Sequence, residues 1–181
     1  ISTVMSNPLQ SFVDQSRRAE LVDKASMALN RMARDIRLAV PNSLTVTGTT
    51  LNMLPIAAAG RYRANQPGGS GPRLDPPQCT QLGPGCSIDI LSPITANATP
   101  HWLIIYSTDV SELGSAASPS VISPKSFTWT TSALSANLQN FRFKYASPQH
   151  RFYLASEVLQ YRCEGGELWR WVSQSLDGSN P

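Results

Sequence analysis

Ala28-Leu29-Asn30-Arg31-Met32-Ala33-Arg34-Asp35-Ile36-Arg37-Leu38-Ala39-Val40-Pro41 decides the fold, because it closes a long helical pattern and marks where that pattern must stop. Reading back toward the N-terminus, apolar residues recur at Leu9, Phe12, Ala19, Val22, Ala25, Leu29, Met32, Ala33, Ile36 and Val40. The steps are mostly three or four, which places these residues on one face of a 3.6-residue repeat. The spacing predicts an amphipathic helix from Asn7 to Val40. Ser6 or Asn7 is expected to cap it, with Pro8 where a missing N–H costs little. Pro41 lacks the donor for the preceding turn and disfavours helical geometry at Val40, so the helix is expected to end there.

The polar side of this segment carries Asp14, Arg17, Arg18, Glu20, Asp23, Lys24, Arg31, Arg34, Asp35 and Arg37. Asp14/Arg18, Glu20/Lys24 and Arg31/Asp35 are spaced to pair along the helix, each contributing only about 0.2–0.5 kcal/mol. A solvated face accounts for such charges; contact with neighbouring subunits is the sharper reading.

Beyond Pro41 the pattern changes from a period near four to a period of two. Leu44, Val46, Leu51 and Met53 alternate around Thr47-Gly48-Thr49-Thr50, which reads as a β-hairpin directly after the helix. Residues 57–85 are rich in Gly, Pro, Arg and Asn and read as a long surface excursion. Ile88 and Ile90 alternate ahead of Pro93, and Trp102-Leu103-Ile104-Ile105-Tyr106 is a continuous apolar run of the kind found in a central strand. Residues 111–126 form a second excursion, and Phe127-Thr128-Trp129-Thr130 a short strand. The last third, Phe141–Tyr145, Arg151–Leu154, Val158–Cys163 and Leu168–Val172, reads as an antiparallel meander with one apolar face, the natural partner for the helix stripe. The expected fold class is therefore α+β, a long N-terminal helix packed on antiparallel sheets. Residues 1–41 would be a helical spine and 42–181 a β-rich head with long loops, in one domain.

A chain of 181 residues can bury one proper core. Its net charge of +3 is small, and its basic residues are spread over the helix, the Arg61/Arg63/Arg73 loop and the C-terminal strands. That distribution argues against nucleic-acid binding. No apolar run approaches the roughly 18 to 20 residues needed to cross a bilayer. The chain opens at Ile1 without an initiator methionine, so a longer natural N-terminus is expected to precede it. Cys79 and Cys86 bracket a Pro/Gly-rich loop and are expected to form a disulfide; Cys163 pairing with one of them, or no bridge at all, are the alternatives. The thiol left over is expected to be a small buried hydrophobe.

No phosphate-cradling glycine loop, nucleophile elbow, paired metal histidines or Cys-x-x-Cys is present. His101 and His150 stand outside any catalytic motif and read as exposed structural histidines. No enzymatic activity, cofactor or metal is expected. Trp169 and Trp171, together with Tyr62 and Trp102, carry faces that can stack on sugar rings; Trp169 and Trp171 share one strand face, for which burial against the core is the commoner fate.

Phe12-Val13-Asp14-Gln15-Ser16-Arg17-Arg18-Ala19-Glu20-Leu21-Val22-Asp23, Ala28 to Arg37 and Pro41-Asn42-Ser43, supported by Ser147-Pro148, Arg151-Phe152 and Val158 to Cys163, resemble the minor pilins of the type IV pilin superfamily, those of MSHA-type pili above all. The resemblance covers the helix and the last third, and the middle loops hardly at all. It implies a ladle-shaped subunit whose apolar N-terminal half-helix, absent here, anchors it in the inner membrane before assembly and packs in the filament core afterwards. It implies partners among other minor pilins and the major pilin, a periplasmic and then cell-surface location, and a role in a priming or tip complex without chemistry. Leu9, Phe12, Val13, Arg17 and Arg18 are the expected subunit contacts. A minor pseudopilin of type II secretion is the related alternative. A glycan-binding tip module, using residues 57–85, residues 111–126 or the tryptophans, is the rival of a different class.

Overall fold

The computed structural model describes residues 3–67, 71–79 and 85–177, with helix side chains described from residue 10 onward. The chain divides into two compact units, Ile1–Arg37 and Leu38–Pro181. The first is a single helix, α1 (Thr3–Arg37). It starts earlier than expected, so Ser6, Asn7 and Pro8 lie inside it rather than at its N-terminal boundary. It also ends three residues before Val40, because β pairing takes the chain first. The Val40 N–H donates to the Leu54 carbonyl at 2.8 Å, and the Ile56 N–H donates to the Leu38 carbonyl at 2.9 Å. Val40 is 1% exposed in the core of the second unit and is no part of a helix stripe.

The second unit is built of antiparallel ladders, which makes the chain α+β. Its strands are β1 (Thr45–Thr47), β2 (Thr50–Met53), β3 (Ala58–Arg61), β4 (Gln78–Cys79), β5 (Cys86–Asp89), β6 (Asn97–Ile104), β7 (Phe127–Trp129), β8 (Ala133–Ala136), β9 (Phe141–Arg142), β10 (Arg151–Ala155), β11 (Val158–Glu164) and β12 (Glu167–Ser173). They form a four-stranded sheet in the order β1-β2-β11-β12, a six-stranded sheet in the order β3-β10-β6-β7-β8-β5, and the pair β4-β9.

The expected hairpin after the helix is present as β1-β2, closed by Thr47 opposite Thr50 with Gly48 at φ 58°. Gly165 and Gly166, at φ 60° and 82°, supply the two left-handed positions of the turn that joins β11 to β12. The apolar run of β6 is explained by its place between β10 and β7. Leu103 and Ile105 join one buried cluster with Phe127, Leu134, Phe152 and Leu154. Trp102 and Ile104 face a second cluster with Val40, Leu54, Val121 and Ile122. A strand covered on both faces needs apolar residues at successive positions. Gly60 lies opposite Phe152 across β3-β10, where an added Cβ would come within 3.0 Å of the ring, so the missing side chain makes room for the aromatic.

Three expectations are corrected. The C-terminal third is not one meander: β10 belongs to the six-stranded sheet and β11 to the four-stranded one, so the chain changes sheets at Ser156-Glu157. Lys125 fixes that crossing, its ammonium donating to the Ser156 carbonyl and to Gln174 Oε1 (2.6 Å) while lying 4.7 Å from the centre of the Trp102 ring. Residues 57–85 are not simply a surface excursion, since they contribute β3 and the fully buried Tyr62. Residues 111–126 likewise supply buried Leu113, Val121 and Ile122 and most of a short 3-10 helix, Val110–Gly114. The pairings that bury these segments join residues distant in sequence, so local composition did not announce them.

Cys79 and Cys86 form a disulfide, and both sulfurs lie in the first cluster. Closing so short a loop contributes about 2.5 kcal/mol in the chain-entropy picture. Cys163 is exposed, not a buried hydrophobe, because it lies on the outer part of β11 next to the turn.

The 3-10 helix is held by a capping box. The Asp109 carboxylate accepts from the Ser111 N–H at 2.8 Å, and the Glu112 carboxylate reaches back to the Asp109 N–H, the Thr108 N–H and the Lys144 ammonium at 2.9 Å. The Lys144 contact, aided by the Thr108 and Asp109 donors, lowers the Glu112 carboxyl to about 2. A depressed carboxyl stabilises the fold above its ordinary value, 4.5, and that contribution fades as the pH falls toward about 2. Glu112→Gln is therefore expected to lose stability at neutral pH and to show a shallower fall in urea midpoint across this acid range; an unchanged fall would assign the acid sensitivity elsewhere. Phe152→Ala, at a fully buried site, is expected to cost about 3–5 kcal/mol in urea unfolding.

Candidate functional site

The candidate contacts on α1 are arranged by helical geometry alone. At about 100° per residue, Leu9, Phe12, Val13 and Arg17 fall within an arc of about 140°, whereas Arg18 lies about 120° from Phe12 on the far side. The helix thus sets Phe12, Val13 and Arg17 toward one side and leaves Arg18 apart. Phe12 is 71% and Val13 45% exposed, and Arg17 and Arg18 are exposed as well. The side chain of Leu9 lies outside the described residues.

Every side chain from Gln10 to Met27 is exposed. These include Leu21, Val22 and Met27, each more than 60% exposed, as is Leu29 just beyond. Val22 and Leu29 share a direction, but Leu21 and Met27 point elsewhere, so apolar residues occur on more than one side and not on a single stripe. Of the expected ion pairs, Glu20–Lys24 forms at 2.6 Å, and the Lys24 ammonium draws the Glu20 carboxyl below its usual range. Asp14 and Arg18 form no salt bridge among the described residues.

The aromatic candidates divide sharply. Tyr62 and Trp102 are buried and offer no face to a sugar. Trp169 and Trp171, expected against the core, are instead exposed on β12, most of which is open to solvent, with ring centroids 6.2 Å apart and a tilt of 40°. Register places Thr47, Thr50, Arg162 and Trp169 in one row across the sheet and Thr45, Asn52, Gln160 and Trp171 in the next. This is an aromatic pair in a field of hydrogen-bonding side chains. His101 is buried, not exposed as expected, and packs edge-on against Trp129 with centroids 4.7 Å apart. Among the described residues no group of three or more His, Cys, Asp or Glu is placed to hold a metal ion, and no helix is long and apolar enough to cross a membrane.

Two grooves in the second unit were not foreseen from sequence. One, of about 360 Å³, is lined by Pro41, Asn42, Tyr106, Ser107, Gln149, Arg151 and Tyr153 among others. The other, of about 390 Å³, is lined by Ala59, Arg61 and Ser92 and shares Arg151 and Tyr153 with the first. Non-glycine residues with left-handed backbone gather at the first: Asn42 (φ 60°) and Tyr106 (φ 50°) line it, and His150 (φ 52°) lies between two residues that do. Such backbone persists only where the surroundings over-determine it, and it clusters at ligand sites.

The turn at 147–150, one wall of that groove, is held from beneath by Tyr62. Burial pushes the Tyr62 phenol above its ordinary value, so it stays protonated and donates to Asp75 Oδ1 at 2.7 Å. Its oxygen accepts from the Ser147 N–H at 3.1 Å, Asp75 Oδ2 lies 3.1 Å from His150 Nε2, and the Tyr62 N–H donates to the His150 carbonyl. No local signal in the sequence joins residues 62, 75 and 147; only the fold does.

No family model matches the chain, and neither a curated protein nor a solved structure does. Tyr62→Phe is expected to cost about 1–3 kcal/mol, because it leaves the buried Ser147 N–H without an acceptor. It should also raise amide hydrogen exchange across residues 147–151; protection equal to wild type there would remove Tyr62 as the support of the groove wall.

Proposed function

We propose that this chain is the head and lower spine of a type IV pilin-like minor subunit, most like the minor pilin MshO of the mannose-sensitive haemagglutinin pilus. It would act by assembly in a priming or tip complex and carry out no chemistry. The observation that carries the reading is α1: exposed apolar side chains on more than one side over Gln10 to Met27. A lone helix in water draws little stability from propensity and needs packing. Apolar groups facing several directions fit a helix surrounded by neighbours, and head-to-tail contacts of that kind build open helical filaments. The helix-then-β order and the sequence blocks resembling minor pilins support the same reading. On it, the partners are other minor pilins and the major pilin. The subunit would be held at the inner membrane by a segment preceding Ile1 and later displayed at the cell surface. A minor pseudopilin of type II secretion satisfies the same physics, and the identity of the co-purifying subunits separates the two.

The exposed pair Trp169 and Trp171 favours a second reading, a glycan-binding tip module. Saturable binding of neutral sugars, lost in Trp169→Ala, would support it.

Phe12→Asp and Arg17→Glu are expected to reduce association with the other minor pilins at least about ten-fold, with piliation falling in step and the circular dichroism of the isolated chain unchanged. Arg18→Glu reports on a second neighbour, on the other side of the helix. Wild-type association and piliation in all three variants would overturn the assembly reading.

A further inference from the structure

Arg61 and Arg151 are direct cross-strand partners in the β3-β10 ladder. Residues so paired have Cβ atoms about 4.5–5.5 Å apart, and like charges placed there destabilise the sheet. Both side chains are exposed, and neither forms a salt bridge among the described residues. Two acids of neighbouring segments are engaged elsewhere: Asp75 with Tyr62 and His150, and Asp89 with Arg73 at 3.8 Å. Register thus sets two like-charged side chains opposite one another on adjacent strands, Arg61 lining one groove and Arg151 lining both.

We propose that Arg61 and Arg151 together bind the carboxylate of an acidic oligosaccharide lying across both grooves. The guanidinium fork matches a planar carboxylate, and an anion between two of them turns their repulsion into attraction. The groove chemistry selects a sugar as its carrier. Arg151 and Tyr153 line both grooves, the half-buried Tyr153 and the exposed Tyr106 offer ring faces, and Gln149 offers an amide. Asn42 Nδ2 and Ser107 Oγ donate to the Ser107 and Asp109 carbonyls, which leaves the Asn42 and Ser107 side-chain oxygens as acceptors for hydroxyl groups. An extended peptide fits less well, because no strand edge is open at the arginines. β10 lies between β3 and β6, and outside β3 the Arg61 carbonyl already accepts the Leu91 N–H at 2.8 Å. The left-handed backbone at Asn42 and Tyr106 is then the preorganisation of the site. The assignment stands apart from the filament reading and from the Trp169/Trp171 platform, and can fail without either.

The test is titration of the whole chain with trigalacturonate and with sialyllactose, each beside its methyl ester, followed by calorimetry and amide NMR shifts. Saturable binding is expected for at least one acid, weakening with added salt, with shifts at residues 59–61, 106–107 and 149–153. The ester should bind at least about ten-fold more weakly. Arg61→Gln and Arg151→Gln should each lower affinity about ten-fold while leaving the melting temperature unchanged or raised, since each removes the like-charge pair. Arg162→Gln, whose side chain lies beside Glu164, should bind as wild type. Absence of saturable binding to both acids, equal affinity for acid and ester, or full affinity in Arg151→Gln would each overturn the site. Citrate binding as tightly as the sugars would reassign it to a free anion and overturn the saccharide assignment.

Discussion

The second unit depends on one constraint: the end of β6 and the residue that follows it carry apolar side chains at four successive positions, Trp102 to Ile105, and each must be kept from water. Fully burying side chains of this size is worth about 1.5–3 kcal/mol apiece, so leaving either face of the strand bare would consume a large part of any domain's net stability. Neighbouring strands alone cannot cover a face. One side is closed by Phe127, Leu134 and Phe152, and the other by Val40, Leu54, Leu113 and Ile122, which come from widely separated parts of the chain. The crossing from one sheet to the other, the Lys125 tether and the short 3-10 helix are consequences of that demand for cover.

What the sequence disclosed and what it withheld divide along the same line. The run at Trp102 to Ile105, the hairpin around Gly48 and the double-glycine turn at Gly165-Gly166 announce themselves because each depends on residues adjacent in the chain. The helix was legible in kind, but its end was not, because the hydrogen bonds of Leu38 and Val40 to Leu54 and Ile56 outcompeted one more helical turn ahead of Pro41. Tyr62 stands in a glycine- and proline-rich stretch whose composition reads as a surface excursion. Its burial rests on Asp75 and Ser147, partners that no periodicity can reveal.

The candidate surfaces follow the same rule. Exposure of Phe12 and Val13 agrees with their being available for contact, whereas the helical repeat turns Arg18 away from them. The arginines at 61 and 151 appear in the sequence as scattered positive charges, and only the antiparallel register of β3 and β10 makes them face one another. A small net charge therefore says little about local fields, which are set by register and by which acids are already engaged.

The stitch between Leu38–Val40 and Leu54–Ile56 also has a mechanical meaning. Any pull transmitted along α1 reaches the β unit first at Leu38, immediately ahead of that stitch. There it meets two backbone hydrogen bonds and a Val40 side chain lodged in the second cluster. Resistance to stretching is thus concentrated in a few residues at the base of the helix. The rest of the β unit is loaded through those residues.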